Sequence, residues 1–178
     1  MEHDEMVRLH HAGDLLIGID RPAARRFFTR LSLEGIAGLI GERPFIEWFT
    51  VRSSFALFHL ATAASLVLAV LAFRWFALIV VPVTIAFMAL WWAASSTGFR
   101  RLRWPLLLLI AAVINLSFFA SVGKLYVGLW FLVLTAGIFL ITFTYNSAGF
   151  FLRLLVLRNE RAYRLCTERG ILLLRRAG

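Results

Sequence analysis

Apolar residues dominate the chain from Phe55 to Leu157, and they fall into runs rather than into the alternation of half-buried elements. Crossing a hydrocarbon core as a helix takes about 20 mostly apolar residues. Four stretches meet that length, at 55–73, 75–94, 104–121 and 125–145. Helices are required, because backbone groups without partners cannot face lipid. Phe55 to Ala94 is about twice too long for one straight crossing, so the pattern predicts a tight reversal around Arg74. Pro105 falls in the first turn of the third stretch, where a missing N–H costs nothing. Gly123 supplies the next reversal, and Ser95–Arg103 is the one clearly polar internal loop.

The fourth run carries the polar group Thr144-Tyr145-Asn146-Ser147 within an apolar sequence that continues to Leu157. A helix entering at Lys124 uses about 21 residues to cross, which places this group at the far interface and not at the bilayer centre. A discontinuous transporter helix with a midplane binding site therefore loses its best support. Beyond Tyr145, winding at 100° per residue gathers Arg153, Glu160, Arg161, Arg164 and Glu168 on one stripe. Leu155, Ala162, Tyr163 and Cys166 lie opposite, as in an amphipathic helix that lies in the head groups or packs on a neighbour. On the N-terminal side, residues 21–45 begin with Pro22 at a first-turn position and carry Phe27, Phe28, Leu31, Ile36, Leu39 and Ile40. They stop at Gly41 before Pro44, which predicts a second interfacial helix.

The pattern thus predicts an all-α integral membrane protein. Its antiparallel four-transmembrane-helix bundle (55–145) stands between a tail with an interfacial helix (1–54) and a basic amphipathic C-terminal helix (146–178). Composition agrees: 61% of residues are hydrophobic, against about 45–50% in soluble domains, and the mean hydropathy is +0.81. The first long apolar run begins only near Phe55, behind an acidic, His-rich start, so the expectation is a first span that serves as its own insertion signal and no cleaved signal peptide.

Lysine and arginine set orientation, while acids contribute little. Seven lie before Phe55, one at Arg74, three in Arg100–Arg103, one at Lys124 and seven after Tyr145. With an even number of spans the two sides carry seventeen and two, which predicts both termini in the cytoplasm. Trp48, Trp75, Trp91, Trp92, Trp104 and Trp130 all fall near predicted span ends, as an aromatic belt requires. The net charge of +9 then follows from topology and calls for no nucleic acid; anionic lipid head groups are the expected partners of Arg153, Arg158, Arg161 and Arg164. Eighteen arginines against one lysine point to a G+C-rich bacterial genome and so to a bacterial inner membrane.

Candidate chemistry is sparse. No Asp, Glu, Lys or Arg occupies the middle of a span, which disfavours a proton relay. The polar residues within the spans include His59, Thr84, Asn115 and Ser117. Asn115 is the most polar group near a bilayer centre, suited to a hydrogen bond between helices or to a pore lining. His59 has no second histidine in another span for haem ligation. Ala61, Ser65 and Ala69 form a small-xxx-small stripe for close helix packing, and Pro82 is placed to kink the second span. His10 and Asp14 stand at i,i+4, but Gly13 intervenes and no strong metal-ligand spacing occurs, so residues 1–14 read as a mobile solvated tail. The single Cys166 allows no intrachain disulfide, and no cofactor or metal is called for.

Three functions compete on this basis. The preferred one is a non-catalytic scaffold or accessory subunit that associates with itself or with a membrane partner. The second is a homo-oligomeric pore or small transporter lined by Asn115 and Ser/Thr groups. The third is a membrane enzyme acting on lipid-like substrates through Asn146, Ser147, Arg153 and Arg100, with Glu47 or His59 as its acid or base.

Overall fold

The computed structural model of the chain describes residues 2–95, 103–121 and 124–176. In chain order the elements are α1 (His3–Ala12), β1 (Leu15–Ile19), α2 (Arg21–Arg30), α3 (Leu33–Ile40), α4 (Phe45–Ser95), α5 (Arg103–Ser121), α6 (Leu125–Arg158), α7 (Glu160–Glu168) and β2 (Leu172–Arg176). Helix dominates, as the apolar pattern predicts. Among the described residues, two helices are long and apolar enough to cross a membrane, over Phe45–Leu71 and Leu125–Arg158, and Pro105–Ser121 is a shorter apolar helix. The polar loop predicted at residues 96–102, the glycine turn at 122–123 and the side chains of Thr84, Trp75, Trp91, Trp92 and Trp104 lie outside the described residues.

The chain divides into two units. A terminal unit comprises Met1–Arg52 with Tyr145–Gly178, and an apolar unit comprises Ser53–Thr144. All ten carboxylate residues of the sequence belong to the terminal unit.

The terminal unit corrects the all-α expectation. β1 and β2 pair antiparallel, with Leu15 opposite Arg176, Ile17 opposite Leu174 and Ile19 opposite Leu172. Leu15 and Ile17 are buried on one face and Leu16 is exposed on the other, the period of two that a half-buried strand requires. Residues near the two ends of the sequence are thereby held together. The start of the chain is not a mobile tail: α1 buries Met6 completely and stops at Gly13, whose φ of 83° is left-handed. The predicted N-terminal interfacial helix is two helices. Leu31 is extended, and Ser32 caps α3 by accepting from the Gly35 N–H at 3.0 Å. Gly41 ends α3 at φ 75°, as the sequence predicts.

The C-terminal segment is likewise broken. α6 runs on to Arg158; Asn159 is extended (φ −136°, ψ 113°) and starts α7 as its N-cap. The face predicted to be apolar is nonetheless the buried one, since Leu155, Ala162, Tyr163 and Cys166 enter a common core with Phe27, Phe28, Ile36, Ile40, Val51 and Leu152. These amphipathic faces cover one another within the unit. Each large side chain so buried contributes about 1.5–3 kcal/mol.

In the apolar unit, α4 continues as helix through Arg74, where the sequence predicts a reversal. Leu71 to Ala77 contain no glycine, proline or asparagine to interrupt the backbone ladder, and the helix also passes through Pro82. The unit has its own small core of Val127, Trp130 and Leu134 from α6, with Leu68 and Ala69 of α4 and Phe119 of α5 packed against it. Trp130 is 1% exposed and so is a core residue of this unit, not a member of the aromatic belt. Near the unit's boundary, the Thr144 hydroxyl lies 2.9 Å from Ser54 Oγ and 2.7 Å from the Leu140 carbonyl, a buried polar tie between α6 and α4.

Candidate functional site

The polar side chains of the terminal unit converge on two clusters. In the first, α1 lies against the end of α6. His3 Nε2–H donates to the Val156 carbonyl at 2.9 Å, and the His3 ring meets Tyr163 at 5.5 Å between centroids. His10 Nδ1–H donates to the Leu15 carbonyl at 2.9 Å, while Arg153 Nη2–H donates to His10 Nε2, also at 2.9 Å. Both bonds require the neutral imidazole with its proton on Nδ1. Arg153 is thus engaged inside the fold, where the sequence expects a head-group ligand.

The second cluster surrounds the break between α6 and α7. Asn159 Oδ1 accepts from the Ala162 N–H at 3.1 Å, and its Nδ2 donates to the Ile40 carbonyl at 3.1 Å, with Glu42 Oε2 at 3.4 Å. One side chain therefore caps α7 and ties it to the end of α3. Beside it, Arg158 Nη2 pairs with Glu42 at 2.6 Å and with Glu47 at 3.0 Å. Glu47, one of the proposed acid–base groups, is held by that arginine. Arg164 pairs with Glu160 one turn away on α7. Arg161 is exposed, and its guanidinium extends over Gly41.

Cys166 is fully buried. Burial pushes its thiol up from 9.0 to about 11, and the nearby Arg169 opposes this only in part. Two pH units mean about a hundredfold less thiolate at a given pH. Native protein at pH 8 should therefore react with iodoacetamide at least about a hundredfold more slowly than unfolded chain. The linkage has a definite sign: the neutral thiol is preferred by the fold, so stability is intact below pH 9.0 and falls as pH rises toward about 11. A Cys166→Ala variant would lack that alkaline loss.

Among the described residues of the apolar unit, Asn115, Ser117 and His59 are each placed separately. Asn115 is exposed on α5 and its Nδ2 donates to the Ala111 carbonyl of its own helix at 3.0 Å; Ser117 is exposed and lies 3.4 Å from the Val113 carbonyl. His59 is exposed on α4 with its ring edge-on to Phe55, 4.5 Å between centroids. Of the small-residue stripe, Ser65 is buried and Ala69 packs against the α6 core, with Ala61 half-buried. A close helix approach lies elsewhere, at Gly128 of α6, where an added Cβ would stand 2.9 Å from the Leu116 Cα of α5.

The sequence reading missed Asn159 as a junction and His10 as a link. A helical wheel carried through residue 159 hides the first, and the second depends on an arginine 143 residues away. Comparison of the chain with protein-family models, with curated proteins and with solved structures finds no match.

Proposed function

We propose that this chain is a non-catalytic, multi-pass membrane protein that serves as a scaffold or accessory subunit. The observation that carries this reading is where its polar groups are used. His3, His10, Arg153, Arg158 and Asn159 bond to backbone and to neighbouring side chains of the terminal unit, fixing the bases of α4 and α6. In contrast, α4 presents Phe45, Ile46 and Phe49 at 56%, 72% and 55% exposure. Rigid ends with open apolar helix faces suit a protein that positions a partner.

The start of α4 and the end of α6 belong to the same unit, which supports an even number of crossings. Four crossings match the supply of apolar sequence: α4 would extend about 76 Å if straight, against a core of about 30 Å, so a bilayer obliges it to bend. The distribution of basic residues supports both termini in the cytoplasm, and the excess of arginine over lysine supports a bacterial inner membrane. Native mass spectrometry after gentle extraction tests the assignment. The expected result is the chain in fixed ratio with a second membrane protein. A homo-oligomer carrying nothing else would overturn it and favour a pore, the reading supported by the outward placement of Asn115 and Ser117 on α5; Asn115→Leu should then lower conductance.

A further inference from the structure

Arginines of α2 and of the start of α4 lie beside the two points where the chain leaves and re-enters the terminal unit. The terminal unit ends on α4 at Arg52 and resumes on α6 at Tyr145. Just inside these limits, each helix carries an aromatic residue covered by an arginine. Arg52 Cζ lies 4.9 Å from the Trp48 ring centroid, and Arg25 Cζ lies 5.2 Å from that of Tyr145. The two pairs are joined through α2: Arg25 belongs to it, and the Trp48 indole N–H donates to the carbonyl of Leu31, which follows it, at 3.1 Å. α2 reads RPAARRFFTR, with four arginines and no acid; Ala24, Phe27 and Phe28 are buried, whereas Arg26 and Arg30 are exposed.

Tryptophan and tyrosine with arginine at the foot of an apolar helix are the residues of a membrane interface, and an exposed guanidinium presents a planar fork of donors that matches phosphate oxygens. Arg153, Arg158 and Arg164 of the C-terminal segment are bonded to His10, Glu42 and Glu160 within the fold, whereas Arg30 and Arg52 are exposed. We propose that Arg30 and Arg52, with Arg25 seated over Tyr145 beside them, form a binding site for the phosphate of anionic lipids in the leaflet next to the terminal unit. This deepens the membrane reading and rests on it.

The test uses the full chain in nanodiscs of mixed phosphatidylcholine and phosphatidylglycerol, with retained lipid counted by native mass spectrometry after partial delipidation. The variant Arg30→Gln/Arg52→Gln removes two exposed arginines and leaves Arg25 on Tyr145. Arg161→Gln/Arg169→Gln removes the same charge from α7 and the residue after it. Hydrogen exchange of the paired β1 and β2 amides reports that the terminal unit is intact in each. At about 1 kcal/mol per arginine near the surface, the Arg30→Gln/Arg52→Gln variant should retain phosphatidylglycerol at least about fivefold less, and the α7 variant should match the unaltered protein. Equal losses in both, or none in either, would overturn the proposed site, as would displacement of the lipid by millimolar inorganic phosphate, which would mark a site for free anions. Release of the unaltered chain from membranes by alkaline carbonate would instead overturn the membrane reading beneath it.

Discussion

Asn159→Ala should lower the stability of the terminal unit by about 2–4 kcal/mol. Two losses add. The N-cap bond to Ala162 N–H is worth about 1 kcal/mol, and α7 has only nine residues over which to compensate. The Ile40 carbonyl, accepting from Asn159 Nδ2, would also lose its partner where Ile40 itself is 1% exposed; an unsatisfied buried acceptor costs about 1–3 kcal/mol. Asn159→Asp is the discriminating companion, because a carboxylate keeps the cap but cannot donate to the carbonyl and would stand beside Glu42. It should retain the helicity of α7 yet remain destabilised. The measurement is hydrogen exchange of α7 and β2 amides together with alkylation of Cys166, whose burial depends on α7 staying docked. A variant that alkylates no faster than the parent would show that packing of Tyr163 and Cys166 alone holds α7 in place.

What could be read from the sequence follows from how local each signal is. Pro22 and Gly41 act through their own backbone, so the beginning of α2 and the end of α3 are found where they are predicted. The buried faces of α2, α3 and α7 follow from helical period and remain correct even though Asn159 resets the phase between Arg153 and Glu160. The strands are five residues each, and LLLRR carries no alternation that distinguishes it from the end of an amphipathic helix. Their pairing joins residues some 160 positions apart, Leu15 to Arg176, a relation no local pattern contains. The same holds for α1: its charged, His-rich sequence resembles a solvated tail, and only the carbonyl of Val156 and the guanidinium of Arg153 give its histidines a reason to be ordered. The sequence assigns Arg153, Arg158, Arg161 and Arg164 to lipid head groups; in the fold Arg153, Arg158 and Arg164 are bonded to His10, Glu42 and Glu160, partners that a helical wheel of one segment does not contain or cannot rank.

Gly128→Val should be the most damaging single change in the apolar unit, with Gly128→Ala already harmful. Even the alanine Cβ would lie 2.9 Å from both Cα and Cδ1 of Leu116 and 3.3 Å from Phe119 Cβ. The leucine methyl can swing away; the Cα cannot, so α5 and α6 must separate. Overpacking of this kind costs about 1–3 kcal/mol for a single methyl and more for a branched side chain. Separation would also unseat the stacking of Phe119 on Phe131, now 6.3 Å between centroids and 12° from parallel, and loosen the small core of Val127, Trp130 and Leu134 against which Phe119 packs. The position belongs to no small-xxx-small stripe, since Lys124 and Leu132 flank it at four residues on either side; the close approach is a single-glycine contact, and for that reason the pattern points to α4 instead. Unfolding of the chain in mixed micelles by added sodium dodecyl sulfate measures the effect. The expected order of midpoints is parent, Gly128→Ala, Gly128→Val, with Ser65→Gly, which removes only a hydroxyl already bonded to Thr62 of its own helix and the carbon that carries it, nearer the parent than either. A Gly128→Val protein that unfolds at the parent's midpoint would mean that α5 does not cross α6 at Leu116.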